Sequence, residues 1–132
     1  MANLPVEFSV SVVGEVTGES FKGVFKAVPR LSHRDNLRRD QLRRDLLGGK
    51  AEDASPDALN VSLVFSKVWV HLVEAPSWWK DSGNGVSLLD ETPVAAVYDN
   101  VTRIEREAIE AVQKKTEEAK EDLATETKTK KK

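Results

Sequence analysis

The chain has 132 residues, 39% of them hydrophobic, and a formal net charge of -2. This length supports one modest hydrophobic core and hardly two, and the balanced charge gives no whole-protein argument for binding nucleic acid or an anionic membrane. The lack of cysteine excludes disulfides, thiolate catalysis and cysteine-ligated metals. Because no apolar window is long enough to span a bilayer and the N-terminus lacks a signal-peptide pattern, we expect an intracellular protein.

The first predicted element is a β-hairpin over residues 5–28. Apolar and polar residues alternate from Leu4 to Val13 and again from Phe21 to Ala27, which is typical of strands with one buried face. Gly14 and Gly18 bracket the turn between the two strands. Since an isolated hairpin is marginal in water, we expect helices or another subunit to cover its apolar face.

Three helices are predicted to follow the hairpin, at about 33–47, 56–75 and 93–115. Ser32 and Ser55 precede the first two helices, where a serine hydroxyl can accept hydrogen bonds from the free amides of the first turn. The first helix is rich in arginine, with aspartates placed four residues before arginines. This spacing predicts a solvated helix face with internal salt bridges.

The second predicted helix contains the most apolar stretch of the chain. Val68, Val70 and Leu72 alternate as they would in a strand. The length of the segment and its N-terminal cap at Ser55-Pro56 nevertheless favour a buried central helix. After it, the segment from Ala75 to Asp90 holds two adjacent tryptophans and a glycine-rich reversal. We expect these large rings to pack under neighbouring helices, to meet a partner, or to do both.

The third predicted helix carries an apolar stripe, because valines and an isoleucine recur at alternating steps of three and four. Such a stripe packs in the core of the domain or forms a contact between subunits. One helix can do both if its later turns project beyond the domain. From residue 113 onward the chain is too polar to hold a fold alone. The sequence therefore predicts one α+β domain at 1–112, a hairpin packed on a bundle of three helices, and a disordered charged tail at 113–132.

Catalysis and metal binding find little support in the sequence. His33 and His71 are far apart, and a histidine in an apolar helix is typical of a core or edge residue. The segment from Asp81 to Gly85 resembles a calcium loop but lacks the alternating ligands and the terminal glutamate. We therefore predict that the protein is not an enzyme and has no cofactor and no metal site.

Several segments form a recognisable series along the chain. They are Gly18 to Phe25 in the hairpin, Leu31 to Asp35 before the arginine-rich helix, Leu46 to Gly49 at its end, and Ala75 to Trp79 with Gly85 to Asp90 before the valine-stepped helix. Spread over roughly residues 5–110, this series resembles the tail assembly chaperones of long-tailed bacteriophages. The patterns are loose and contain no invariant chemistry.

The resemblance implies a protein of the host bacterial cytoplasm that binds the tape measure protein, keeps it soluble and extended, and helps recruit tail tube subunits. It also implies a homo-oligomer and an apolar partner-binding surface. Candidates for this surface are Trp78, Trp79, Leu88, Leu89, Val94, Val97, Val101 and Ile104. The run from Lys130 to Lys132 is what slippery codons would encode, which suggests a frameshifted longer form that recruits the tube subunits.

Two other functions stay open on the sequence. A minor structural protein of the tail or of the head-to-tail junction would add its hairpin to a neighbour's sheet. A nucleic-acid-binding module would use the helical arginines for phosphates and Trp78 or Trp79 for base stacking. Aspartates interleave with those arginines and no basic stripe flanks them, so the pattern disfavours nucleic acid. The paired tryptophans would also suit a sugar platform, but a loop that packs back on the core explains them without a ligand.

Overall fold

The computed structural model describes residues 3–48 and 55–130 as a three-stranded antiparallel sheet with helices packed on it. The elements in chain order are β1 (Val6–Val13), β2 (Ser20–Ala27), α1 (His33–Leu46), α2 (Pro56–His71), β3 (Leu72–Glu74), α3 (Ser77–Asp81) and α4 (Glu91–Lys130). The predicted α+β class is confirmed. Gly49, residues 51–54 of the predicted linker, and Lys131 and Lys132 lie outside the described residues.

β1 and β2 form the predicted hairpin, with all eight residues of each strand paired antiparallel. Phe8 and Phe25 lie directly opposite each other, and their rings stack with centroids 5.2 Å apart. This face of the hairpin is buried, whereas the face that carries Lys22 and Lys26 is in contact with solvent. The period-two pattern of the sequence is therefore the inside-outside pattern of the sheet.

The second predicted helix ends at His71 rather than at residue 75, and the chain continues as β3. β3 pairs antiparallel with the end of β2, and the His71 carbonyl accepts a hydrogen bond of 2.8 Å from the Val28 N–H. A helix through residue 75 would leave this edge of β2 without hydrogen-bond partners. The sheet therefore has three strands instead of the two predicted.

α4 continues past the predicted end at about residue 115 and reaches Lys130. Glutamate, lysine and alanine, which dominate this stretch, are strong helix formers, so the backbone can remain helical after the apolar contacts end. The last buried apolar residue of α4 is Ile104. The flexibility expected for residues 113–132 stays a prediction.

The core lies between the buried face of the sheet and the helices α2 and α4. Its buried apolar residues are Phe8, Val10, Phe25, Ala27, Phe65, Val68, Trp79, Val97, Val101 and Ile104. α1 packs along α2 but buries none of its own residues. Among the described residues, no helix is long and apolar enough to cross a membrane.

Candidate functional site

The paired tryptophans pack against the sheet rather than standing free. Pro76 begins the short helix α3, which turns Trp79 inward until only 1% of it is exposed. The rings of Trp78 and Trp79 both meet Phe25 edge-on, with centroids 5.7 Å and 5.6 Å away. The half-buried Trp78 also donates its indole N–H to the Lys22 carbonyl at 2.9 Å. The pair therefore fixes this segment to the sheet.

Two glycines make room for the tryptophan segment. A Cβ atom on Gly23 would lie 2.6 Å from the ring of Pro76, and a Cβ atom on Gly85 would lie 2.7 Å from the ring of Trp79. Both distances are shorter than any ordinary carbon contact. The backbone approaches the rings this closely because neither residue has a side chain.

The members of the predicted partner-binding set differ in burial. Trp79, Val97, Val101 and Ile104 are core residues and have almost no exposed surface. The stripe on α4 is core over these turns, because it packs on β1, β2 and α2. Four residues of the predicted set are not fully buried, namely Trp78, Leu88, Leu89 and Val94.

Leu88 and Val94 line an open groove between α2, α4 and the segment that precedes α4. The groove has a volume of about 500 Å³. Its lining residues are Asn60, Val61, Val64, Phe65, Gly85, Val86, Leu88, Asp90, Glu91, Val94, Ala95, Tyr98 and Asp99. We call it the α2–α4 groove. Leu89, which is 74% exposed, adds apolar surface next to it in the chain.

The end of the groove at the start of α4 is fixed by two carboxylates. Asp90 is buried and accepts hydrogen bonds from the N–H groups of Val16 and Thr17, at 2.6 Å and 3.1 Å, and from the Thr17 hydroxyl at 2.5 Å. In return, Glu15 accepts from the N–H groups of Glu91 and Thr92, so it caps the first turn of α4. The Thr17 hydroxyl, followed by the two backbone donors, lowers the pKa of Asp90 because these bonds favour the charged form.

Farther along the two helices, a buried ionic cluster joins α2 to α4. Lys67 Nζ lies 3.0 Å from one oxygen of Glu105, and His71 Nε2 lies 2.9 Å from the other. His71 Nδ1 lies 2.6 Å from the Val28 carbonyl oxygen, so Nδ1 carries a proton and donates. Burial raises the pKa of Glu105, but the hydrogen bond and charge of Lys67, with the adjacent His71, outweigh burial and lower it. The walls of the groove are therefore held at a defined separation.

The polar edge of the groove is acidic. Glu91 and Asp99 are exposed, and within the described part of the chain neither carboxylate makes a hydrogen bond or an ion pair. No lysine or arginine lines the groove. The arrangement therefore suits a ligand that presents an apolar surface flanked by positive charge.

Sequence reasoning did not find the two polar arrangements that fix the groove. Glu15 and Asp90 act on groups more than seventy positions away, and His71 is separated from Glu105 by 34 positions. The available signal was the placement of Lys67 and His71 inside a strongly apolar helix, where a charged group needs a buried partner. The partner itself has no local signature.

The arginine-rich helix α1 carries internal ion pairs, one of them at the predicted spacing of four residues. Asp40 contacts Arg43 at 3.4 Å and Arg44 at 3.0 Å. These pairs reduce the positive charge that α1 could offer to phosphates. In the residues that the structure describes, no three histidine, aspartate or glutamate side chains are grouped to hold a metal ion.

Comparisons of the chain with models of known protein families, with curated proteins and with solved structures gave no match.

Proposed function

We propose that this protein is a tail assembly chaperone of a long-tailed bacteriophage. In the host cytoplasm it binds the tape measure protein, keeps it soluble and helps recruit tail tube subunits. The sequence series described above supports this proposal, and the structural observation that carries it is the open α2–α4 groove. An apolar groove on a small domain is typical of a surface that binds another protein.

The groove can bind a client without unfolding the domain. Its apolar residues Val61 and Val86 are already exposed by 49% and 48%, and Leu89 beside it by 74%, whereas the core residues beneath them keep their contacts. Covering this surface with an apolar segment of the tape measure protein would protect both proteins from aggregation.

We also propose that α1, α2 and α4 act as one bundle on the sheet. We propose further that α4 beyond Ile104 serves oligomerisation or connects to a longer, frameshifted form.

The test is co-expression with the long helical protein encoded downstream, followed by affinity pull-down and measurement of solubility. We expect the wild-type chain to keep that protein soluble and to co-purify with it. Leu89→Asp and Val61→Asp should abolish co-purification because each places a charge beside the groove. Replacing Trp78 and Trp79 is unsuitable as a test of the site, because Trp79 is a core residue and Trp78 packs against the core, so their loss would also lower stability.

Two substitutions provide matched controls for this experiment. Leu37→Asp changes a leucine that is 73% exposed, against 74% for Leu89, and Val24→Asp changes a valine with the same 49% exposure as Val61. Leu37 lies on α1 and Val24 on the solvent face of the sheet, away from the groove. Both controls should retain binding. Failure of the wild-type chain to solubilise or retain the partner would refute the chaperone proposal.

A structural role in the virion is the second candidate, and one observation favours it. In the described sheet the strand order is β1-β2-β3, so the outer edge of β1 has no partner strand. Such an edge can accept a strand from a neighbouring subunit. Mass spectrometry of purified particles separates the two functions, because a structural subunit is present in stoichiometric amount and a chaperone is absent.

A further inference from the structure

We propose that the α2–α4 groove binds one amphipathic helix of the partner, with about two turns of apolar side chains in the groove and lysine or arginine beside Glu91 and Asp99. The inference rests on the proposed function for the identity of the partner. Beyond that function, it specifies the conformation, the length and the charge of the partner segment that binds in the groove.

The walls of the groove favour a helical ligand over an extended one. α2 and α4 use their backbone groups in their own hydrogen bonds, and in the third wall the N–H groups of Ser87 and Leu88 already bond to the carbonyls of Ser82 and Gly85. An extended peptide would therefore leave its backbone groups without partners in an apolar groove. A helix satisfies its own backbone and can present apolar side chains alone.

The length of the groove matches a short helical stripe. On α4 the groove runs from Glu91 to Asp99, which is about 12 Å at 1.5 Å per residue. An apolar stripe at positions i, i+3, i+4 and i+7 of a partner helix covers about 10 Å. Two turns of such a helix therefore fill the groove, with Leu88 and Val94 as direct apolar contacts.

The charge at the edge of the groove determines which charge the partner helix should carry on either side of its apolar stripe. Glu91 and Asp99 are free of ion pairs within the described residues, and the groove lining contains no cation to compensate them. A partner with acidic flanks would meet like charge, whereas one with basic flanks gains two exposed ion pairs. Since these pairs are exposed, the preference for basic flanks should weaken as salt is added.

The test uses the full chain and three labelled synthetic helices that share one apolar stripe but carry lysine, glutamine or glutamate on the flanks. Fluorescence anisotropy at low salt should give roughly tenfold tighter binding for the lysine helix than for the glutamate helix. High salt should bring the three affinities together. Asp99→Lys should remove or reverse the preference, whereas Asp122→Lys, on the distal part of α4, should leave it unchanged.

Each outcome separates the inference from the proposed function. Equal binding of the lysine and glutamate helices, or an unchanged preference in Asp99→Lys, overturns the inference. The inference is also overturned if a second copy of the chain occupies the groove. That result would be a dimer that dissociates in the Leu89→Asp variant and that none of the three synthetic helices displaces. If the tape measure protein co-purifies but the lysine helix does not compete with it, the inference fails and the chaperone function stands. If the lysine helix binds as expected but the tape measure protein does not, the chaperone function fails instead.

Discussion

Gly85 combines a backbone requirement with a packing requirement. Its φ angle is +93°, and a Cβ atom there would lie 2.7 Å from the ring of Trp79. Gly18 has a similar φ angle of +73° but has open space around it. We expect Gly85→Ala to reduce the free energy of unfolding by about 1–3 kcal/mol more than Gly18→Ala, because the buried indole cannot move aside. Equal losses in urea denaturation would show that backbone strain alone is responsible.

Asp90 should make the stability of the protein depend on acid pH. Hydrogen bonds from Thr17 and Val16 lower its pKa in the folded state below the ordinary value of 3.8. The contribution of ionised Asp90 to the free energy of unfolding is therefore fully present only well above the unfolded pKa, from about pH 5, and is lost as the pH falls through the lower folded pKa. We expect the melting temperature of the wild type to fall more steeply below pH 4 than that of Asp90→Asn. Asp99→Asn, which loses no hydrogen bond, should follow the wild type, and parallel curves for all three would contradict this role.

Local pairs of residues were predictable from the sequence, whereas distant pairs were not. Ser32 accepts from the Asp35 N–H at 3.1 Å and the Asp35 carboxylate accepts from the Ser32 N–H at 3.1 Å, which confirms the predicted cap. Both partners lie within one turn of the chain. The bonds from Asp90 to the hairpin turn depend on how α4 is placed over the sheet, and no local pattern encodes that placement.

At the scale of elements, the cluster of Lys67, His71 and Glu105 decides how α2 meets α4. We expect Glu105→Leu to cost about 3 kcal/mol of unfolding free energy, because it leaves the buried Lys67 ammonium without its partner. Lys67→Met combined with Glu105→Leu should recover much of this loss. Chemical denaturation of the two single variants and the double variant gives the coupling energy between the residues.

An exposed ion pair on the same helix provides the control for this cycle. Arg103 and Glu107 lie 3.6 Å apart with side chains exposed by 43% and 60%. Their coupling should be below about 0.5 kcal/mol, since solvent screens the pair. A coupling between Lys67 and Glu105 as small as this would show that the buried cluster does not hold the two helices together.

The element predictions succeeded where a pattern belongs to one segment. The hairpin was predicted because alternation and turn glycines are properties of its own sequence. β3 was missed because its three residues form a strand only through the edge of β2, and the helical pattern before them was stronger. The stripe on α4 was recognised correctly, but periodicity cannot distinguish a core contact from a contact with another subunit.

At the scale of the whole molecule, α4 extends well past the core. Its last buried apolar residue is Ile104, and the side chains described beyond Val112 are exposed. We expect amide hydrogen exchange to be slow up to about residue 112 and fast beyond it, because the exposed side chains there bury little apolar surface to stabilise the helix. Equally slow exchange at residues 113–124 and 97–104 would contradict this and would indicate that another copy covers the distal helix.

The groove is a property of the whole molecule, which explains why only part of it was predicted. Leu88 and Val94 were among the candidate residues, but Val61 and Val64 were assigned to a buried helix because apolar helical residues in a small domain are usually core. The final arrangement of α2, α4 and the preceding segment leaves these valines at an opening. Only the packed structure distinguishes a residue inside the core from one at its edge.

The attachment of the hairpin turn to Asp90 has a kinetic consequence. The bond from Thr17 to Asp90 joins groups 73 positions apart, and the bond from Trp78 to Lys22 joins groups 56 positions apart. Large chain loops must close before either contact forms, and contacts of this range slow folding relative to helical bundles. The hairpin can therefore gain its full stability only after the start of α4 has been synthesised. Until then its aromatic face is exposed and prone to aggregation, which is the process that we propose the folded protein prevents in the tape measure protein.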